Sequence, residues 1–331
     1  MKSDDTQALP QTESGYAIEV QDLSKRFGAL KAVDGLSFDV KRGEVFGILG
    51  PNGSGKTTTI RMLCGILQPS SGYGRALGFD VLREGEKIKE HIGYMSQQFT
   101  LYDDLTVIEN LRFYAGVQAV PRAIRKERVA RMLQLAGLEN RREQMTAHLS
   151  GGWKQRLALS CALVHEPEMI FLDEPTAGVD PVSRRKFWDM IYQISDTGAT
   201  FLVTTHYMDE AEQFHRLLFM SRGKQIAEGT PEYIKHECFH HNLWQVECNK
   251  LAQAAHILQD IDGVLDISLP GNVLHVTTNT SVRAEQLIEN ALQAAGITVR
   301  SIVRTQPSLE DVFVSLTSDD MENSREESDS D

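Results

Sequence analysis

The sequence predicts an α/β domain built on a largely parallel sheet and, after it, a small α+β domain. Three observations carry that reading. From Gly15 to Glu232, short apolar runs ending in glycine-rich or charged turns alternate with helical patterns, as strands buried on both faces do. After Pro231 the order becomes strand, helix, two strands, helix, strand, the βαββαβ pattern of a ferredoxin-like sandwich. The length of 331 residues suffices for two domains of roughly 150 each.

Residues 1–14 are polar and aperiodic, too poor in apolar surface to offset the entropy of ordering, and are expected to form a disordered tail. The α/β domain, 15–232, opens with an antiparallel β subdomain whose strands include Phe27. Val45–Leu49 reads as a buried strand, Thr58–Leu67 as the helix after it, and Ile92–Met95 as the next apolar strand. The texture then turns helical over about 99–165. Thr106 and Glu109 form a capping box that opens one helix, Arg122–Leu138 supplies a second, and Trp153–Val164 a third. Strands return at Met169–Leu172 and Phe201–Thr204.

The second domain, 233–317, reads as strand Leu243–Glu247, helix Leu251–Asp260, two strands around the Pro270-Gly271-Asn272 turn, helix Arg283–Ala295 and strand Thr298–Val303. A last helix, Leu309–Leu316, packs on one of the domains. Residues 318–331, aperiodic and acidic, are expected to be a second disordered tail.

Charge narrows the function. The chain has 46 acidic and 34 basic side chains, a formal charge of -12. Residues 318–331 hold seven acids against Arg325 and residues 1–14 contribute a further -2, which leaves the body near -4. A body of that charge has no basic excess to neutralise nucleic-acid phosphates, so nucleic acid is not expected as a partner. The apolar runs are far shorter than the roughly 20 residues that cross a bilayer, and the N-terminus has no secretory core, which predicts a cytosolic location. Cys64, Cys161, Cys238 and Cys248 form no Cys-x-x-Cys pair and read as reduced thiols, the first two within apolar helical patterns. His236, Glu237, Cys238, His240 and His241 cluster at the domain junction, but their spacing matches no closed zinc set and they read as a polar linker.

The sharpest motif is Gly50-Pro51-Asn52-Gly53-Ser54-Gly55-Lys56-Thr57, flanked by the strand Val45–Leu49 and the helix that starts at Thr58. This is a P-loop in its required context. Glycines let successive backbone N–H groups wrap phosphate oxygens, the helix start and Lys56 add positive potential, and the Thr57 hydroxyl suits Mg²⁺. A second apolar strand, Met169–Leu172, runs into Asp173 and Glu174. Beside a P-loop, Asp173 suits the metal, through water, and Glu174 suits alignment of an attacking water. Gly50, Gln97, Asp173 and His206 all stand at carboxyl ends of predicted parallel strands, where open α/β sheets place their ligands.

Leu149-Ser150-Gly151-Gly152-Trp153 immediately precedes a helix, and Gly152 stands 21 residues before Asp173. With these motifs the chain resembles, over residues 15–232, the nucleotide-binding subunits of ATP-binding cassette (ABC) transporters. It is most similar to the single-cassette ATPase subunits of antibiotic and multidrug exporters, whose C-terminal domains carry a stretch like Pro307-Ser-Leu-Glu-Asp-Val-Phe313. The resemblance implies ATP and Mg²⁺ as ligands. It places phosphate contacts along Gly50 to Thr58, the metal at Thr57, Asp173 and the Q-loop Gln97, and hydrolysis at Glu174, His206 and Gln97. Gln98 is the neighbouring alternative for the Q-loop position. Phe27 either stacks on adenine or belongs to the core of the early strands. Asp180, at the D-loop position in Ala177-Gly178-Val179-Asp180, either crosses a dimer interface or begins the next helix. Trp153 departs from the family's usual glutamine, leaves in place the Ser150, Gly151 and Gly152 backbone that cradles phosphate of the bound nucleotide, and is expected to cover a partner's nucleotide rather than pack within its own subdomain.

The resemblance further implies a head-to-tail pair of subunits, a homodimer by expectation, that closes on ATP and reopens on hydrolysis. It implies a separate integral membrane permease, with this chain peripheral at the cytoplasmic face and the helical subdomain conveying the motion. The transported small molecule would not touch this chain. A soluble ABC ATPase acting on nucleic acid, ribosomes or protein assembly is the alternative. It is disfavoured by the absence of long heptad arms, of a second cassette and of a basic footprint. A nucleotide-gated module without turnover is disfavoured by the presence of both Glu174 and His206.

Overall fold

The computed structural model describes residues 15–97, 101–279 and 283–328. These divide into two units, one ending at Thr230 and the other beginning at Pro231. The sequence reading puts that boundary two residues later.

The first unit opens with two long antiparallel strands, β1 (Tyr16–Phe27) and β2 (Leu30–Lys41). Strand β3 (Val45–Leu49) follows, every residue of it buried, then helix α1 (Lys56–Leu63). β4 (Ser71–Ala76) and β5 (Phe79–Asp80) complete an antiparallel sheet of order β2-β1-β4-β5. Helix α2 (Gly85–His91) leads into β6 (Ile92–Met95), after which the chain enters the helical region of α3 (Val107–Val117), α4 (Arg122–Ala136) and α5 (Gly151–Leu163). It returns through β7 (Met169–Asp173), α6 (Pro181–Ser195), β8 (Thr200–Thr205), β9 (Arg216–Ser221) and β10 (Lys224–Gly229).

The second sheet has the order β10-β9-β3-β8-β7-β6, parallel throughout except for the β10–β9 hairpin. Strands β3, β7 and β8 are buried along their whole length, which is why they read as unbroken apolar runs rather than alternating ones. The core joins both sheets: Phe38 of β2 stacks on Phe46 of β3 with centroids 5.5 Å apart.

Local chemistry accounts for the helix boundaries. At α3, Thr106 accepts from the Glu109 backbone while the Glu109 carboxylate accepts from the Thr106 backbone at 2.8 Å, the capping box read from the sequence. α4 stops at Gly137, left-handed at φ 66°. α1 differs from its expected span of 58–67. It opens directly after its N-cap Gly55, whose φ of 105° turns the loop into the helix, and it ends at Leu63, with Cys64 as C-cap, because Gly65 is left-handed at φ 67°.

In the second unit, helix α7 (Pro231–Glu237) precedes β11 (Asn242–Cys248), α8 (Leu251–Gln259), β12 (Val264–Ser268), β13 (Leu274–Thr278), α9 (Ala284–Ala294) and β14 (Val299–Thr305). The four strands pair antiparallel in the order β12-β13-β11-β14, the ferredoxin-like arrangement, over a core that includes Val246, Leu258, Leu274, Val276, Ile288 and Leu292. The histidine-rich junction lies partly on α7 instead of being a plain linker.

The last helix, α10, runs from Leu309 to Ser328, through eleven residues assigned from the sequence to the acidic tail. Ser308 and Asp311 cap its start reciprocally. A nucleated helix extends at little cost through straight-chain residues such as Met321, Glu322 and Glu326, and composition alone misses that cooperativity. The expected tails at 1–14 and 329–331 lie outside the described residues.

Candidate nucleotide site

The loop between β3 and α1 follows from its backbone. A Cβ at Gly50 would lie 2.1 Å from the Met220 carbonyl oxygen and one at Gly55 2.5 Å from that of Ala32, so glycine alone lets the loop lie this close to its supports. Gly53 is left-handed at φ 81°. Lys56, almost wholly buried, folds back so that its ammonium donates to the carbonyls of Gly50 at 2.8 Å and Pro51 at 3.0 Å. Its charge thereby sits in the middle of the loop, beside the N-terminus of α1, where phosphate is favoured. Among the described residues, the buried Ser54 hydroxyl has no hydrogen-bond partner.

Next to it, the ends of β7 and β8 bring together the acids. Thr57 Oγ1 donates to Asp173 Oδ1 at 3.0 Å, and Thr204 Oγ1 donates to the same oxygen at 2.8 Å. Asp173 Oδ2 is buried and has no partner among the described residues. The Asp173 charge is felt nearby: burial first, and then Asp173, pushes both the Cys64 thiol and the Tyr94 phenol up.

Glu174 turns out of the strand in the left-handed region, φ 48°, a strained conformation for a side-chain-bearing residue. Its backbone N–H is held by the Thr204 carbonyl and hydroxyl, both at 3.1 Å. Three side chains converge on its buried carboxylate: Lys56 Nζ lies 3.2 Å from Oε1, Gln97 Nε2 donates to Oε2 at 3.2 Å, and His206 Nδ1 lies 3.1 Å from Oε2. Gln97, Glu174 and His206 follow the adjacent strands β6, β7 and β8, and Lys56 opens the helix after β3, the next strand in the sheet.

The remaining expected positions divide. Phe27 is exposed at the end of β1 with the Lys25 ammonium 5.2 Å from its ring centroid, so it is available for stacking and is not a core residue. Ser150 is the exposed N-cap of α5 and Gly151 its exposed first residue. Gly152 instead is buried against α6: a Cβ there would lie 2.4 Å from Ser183 Cβ, which gives this glycine a packing role. Asp180 takes the helix-starting role, its Oδ1 accepting from the backbones of Val182 and Ser183 at 3.1 and 2.9 Å. Those hydrogen bonds, from Ser183 foremost, hold its carboxyl below the usual range.

The Trp153 ring lies 3.7 Å from the Arg156 guanidinium carbon and 5.0 Å from that of Arg141. The ring thus has contacts within its own helical region. Gln98 lies outside the described residues. Sequence reading does not single out Thr204, although it stands near the end of β8, two residues before His206, the spacing that could have marked it.

A glycine-cradled loop with a buried lysine, and an acid pair at the neighbouring strand end, define a P-loop nucleotide-binding protein of the α/β class. The chain belongs to the ABC transporter ATP-binding proteins. Residues 33–177 match the ABC transporter family, and residues 229–317 match the family described as ATP-binding protein DrrA1-3-like, C-terminal domain. The daunorubicin resistance ATP-binding protein DrrA3 of Streptomyces coeruleorubidus is 35% identical over 307 residues, covering 92% of this chain and 96% of that one. The probable multidrug ABC transporter ATP-binding protein YbhF of Escherichia coli strain K12 is 50% identical over 224 residues, 68% of this chain but 39% of its own length. This chain therefore spans well under half of that relative. Among solved structures, cbiO1 from Clostridium perfringens, part of the ABC transporter complex cbiONQ, superposes with a TM-score of 0.62 at 31% identity, covering 68% of this chain and 92% of that one.

Proposed function

We propose that the chain is the ATP-hydrolysing subunit of an exporter for multidrug-type or related hydrophobic compounds, peripheral at the cytoplasmic face of the membrane. The observation that carries the reading is the convergence of Lys56, Gln97 and His206 on the buried carboxylate of Glu174, beside the Thr57–Asp173 pair. Among the described residues no helix is long and apolar enough to cross a membrane, so the reading needs a separate integral membrane permease.

The donor set at the loop fits nucleotide and Mg²⁺. Thr57 Oγ1, the unpartnered Asp173 Oδ2 and the Gln97 amide oxygen are hard ligands, too few for an all-protein cage, as suits an ion that keeps waters and phosphate oxygens. When bound, Mg²⁺ would offset charge on the phosphates. Lys56 would hold the terminal phosphates, and Phe27 would stack on the base. Glu174 would accept a proton from the attacking water while Gln97 and His206 keep its carboxylate aimed. Ser150 and Gly151, exposed at the start of α5, would meet the nucleotide of a second subunit, most simply a second copy of this chain in head-to-tail arrangement.

Extraction of cells in mild detergent, with the chain as bait, tests the reading: an integral membrane protein should co-purify, and its presence should raise the ATPase rate. A chain that hydrolyses ATP and comes down with ribosomes or nucleic acid, and with no membrane protein, would show the export reading to be wrong.

A further inference from the structure

Glu210 is 2% exposed and belongs to none of the motifs that carry the nucleotide reading. Its Oε1 accepts from the Thr176 hydroxyl at 2.5 Å, and Arg184 Nε lies 3.6 Å from the same oxygen. Thr176 lies two residues past Glu174, in the turn closed by Ala177 N–H donating to the Glu174 carbonyl at 3.2 Å. Glu210 itself sits in the short turn after His206, its N–H donating to the Tyr207 carbonyl at 3.2 Å. One carboxylate therefore joins the segment that carries Glu174 to the segment that carries His206.

A second path runs in parallel over the side chains. The His206 and Tyr207 rings pack with centroids 4.1 Å apart, the Arg184 guanidinium carbon lies 4.3 Å from the Tyr207 centroid, and Arg184 Nη1 donates to Asp209 at 2.8 Å. Arg184 stands on the first turn of α6, its N–H bonded to the Asp180 carbonyl at 2.9 Å. Glu210 Oε2 and Arg184 Nε are both buried without a hydrogen-bond partner among the described residues. Burying a carboxylate beside an imperfectly engaged guanidinium is costly, and a buried polar pair left in this state calls for an explanation.

We propose that Glu210 is a positioning residue for hydrolysis: through Thr176 and Arg184 it holds the His206 ring against the Glu174 carboxylate and links both to the start of α6. The inference rests on the proposed ATPase reading. It gives a role to a charged side chain buried in a turn outside the phosphate loop, and it predicts an effect on turnover without one on binding.

Thr176→Val removes the hydroxyl at nearly constant shape and Thr176→Ser keeps it, so the pair tests the link without emptying the Glu210 site. In steady-state assays on the full chain, T176V should lower kcat about tenfold and leave the KM for ATP within about twofold, while T176S should stay near the unsubstituted rate. In a His206→Ala background, where no ring remains to be held, T176V should cause no further loss in single-turnover cleavage of labelled ATP. An equal loss in both backgrounds marks a scaffold role and overturns the inference, as does an unchanged kcat in T176V. An unsubstituted chain without ATPase activity overturns the proposed function along with it, whereas an active chain indifferent to T176V overturns the inference alone.

Discussion

Lys56 Nζ stands 3.2 Å from Glu174 Oε1, with the two side chains only 3% and 7% exposed. The loop's cation and the Glu174 carboxylate are thus one buried pair, and each keeps the other's charge supportable. Replacing Lys56 by Ala removes the charge that faces phosphate and strips Glu174 of its cationic partner. Nucleotide affinity should fall by at least about tenfold in calorimetric titration. Equal affinity in the variant would sink the phosphate-loop reading.

Glu174→Gln keeps the shape of that carboxylate and its capacity to accept from Gln97, but loses the charge that draws a proton from water. Binding should survive while turnover stalls, with kcat down by at least about a hundredfold. ATP should then accumulate a stable dimer in sedimentation. A variant that stays monomeric with ATP bound would speak against the head-to-tail pair.

Gly152 tests a role visible only in the folded chain. A methyl group there would overlap Ser183 Cβ on α6, so Gly152→Ala should cost about 1–3 kcal/mol of stability in denaturant titration. Gly151, with nothing within 4 Å of an added Cβ, should accept alanine with little change in stability. Equal stability of the two variants would contradict the packing.

Trp153 is bracketed by Arg141 and Arg156, and burial, then the charge of Arg141, holds the Arg156 guanidinium below its ordinary pKa. Trp153→Ala should lower unfolding stability by about 1–2 kcal/mol through the lost cation–π and packing contacts. Placed in the Glu174→Gln background, it should leave the ATP-driven dimer constant unchanged. A weakened dimer at normal stability would instead support the cross-subunit role expected from the sequence.

Ending the chain at Thr230 should leave a cooperatively folding unit that still binds ATP. The nucleotide loop, both acids and the buried sheet lie before that residue, and the ferredoxin-like unit keeps its own apolar core. A broad, non-cooperative melt of residues 15–230 would show that the C-terminal unit completes the first.

Much of this molecule is legible in the chain itself because the signals are local. Buried parallel strands must be runs of apolar residues, so Val45–Leu49 and Met169–Leu172 announce themselves, and the motifs at their ends need residue types few other contexts demand. The capping box at Thr106 and the βαββαβ order are local in the same sense. Helix ends are less legible: α1 stops at Leu63, short of the left-handed Gly65, because of a backbone angle, and α10 continues to Ser328 through cooperativity that composition does not register.

What only the tertiary structure decided is which neighbours a residue meets. Asp180 caps α6, Gly152 lies against Ser183 of that helix, and Phe27 is exposed at the end of β1. The Asp180 cap is local, but other contacts join residues distant in sequence, such as Ser183 beside Gly152 or Thr204, 30 positions from Glu174. The same holds for Glu210, whose partner Thr176 lies 34 residues away. Residue type sets what a side chain can do, and proximity, which a single sequence does not encode locally, sets what it does.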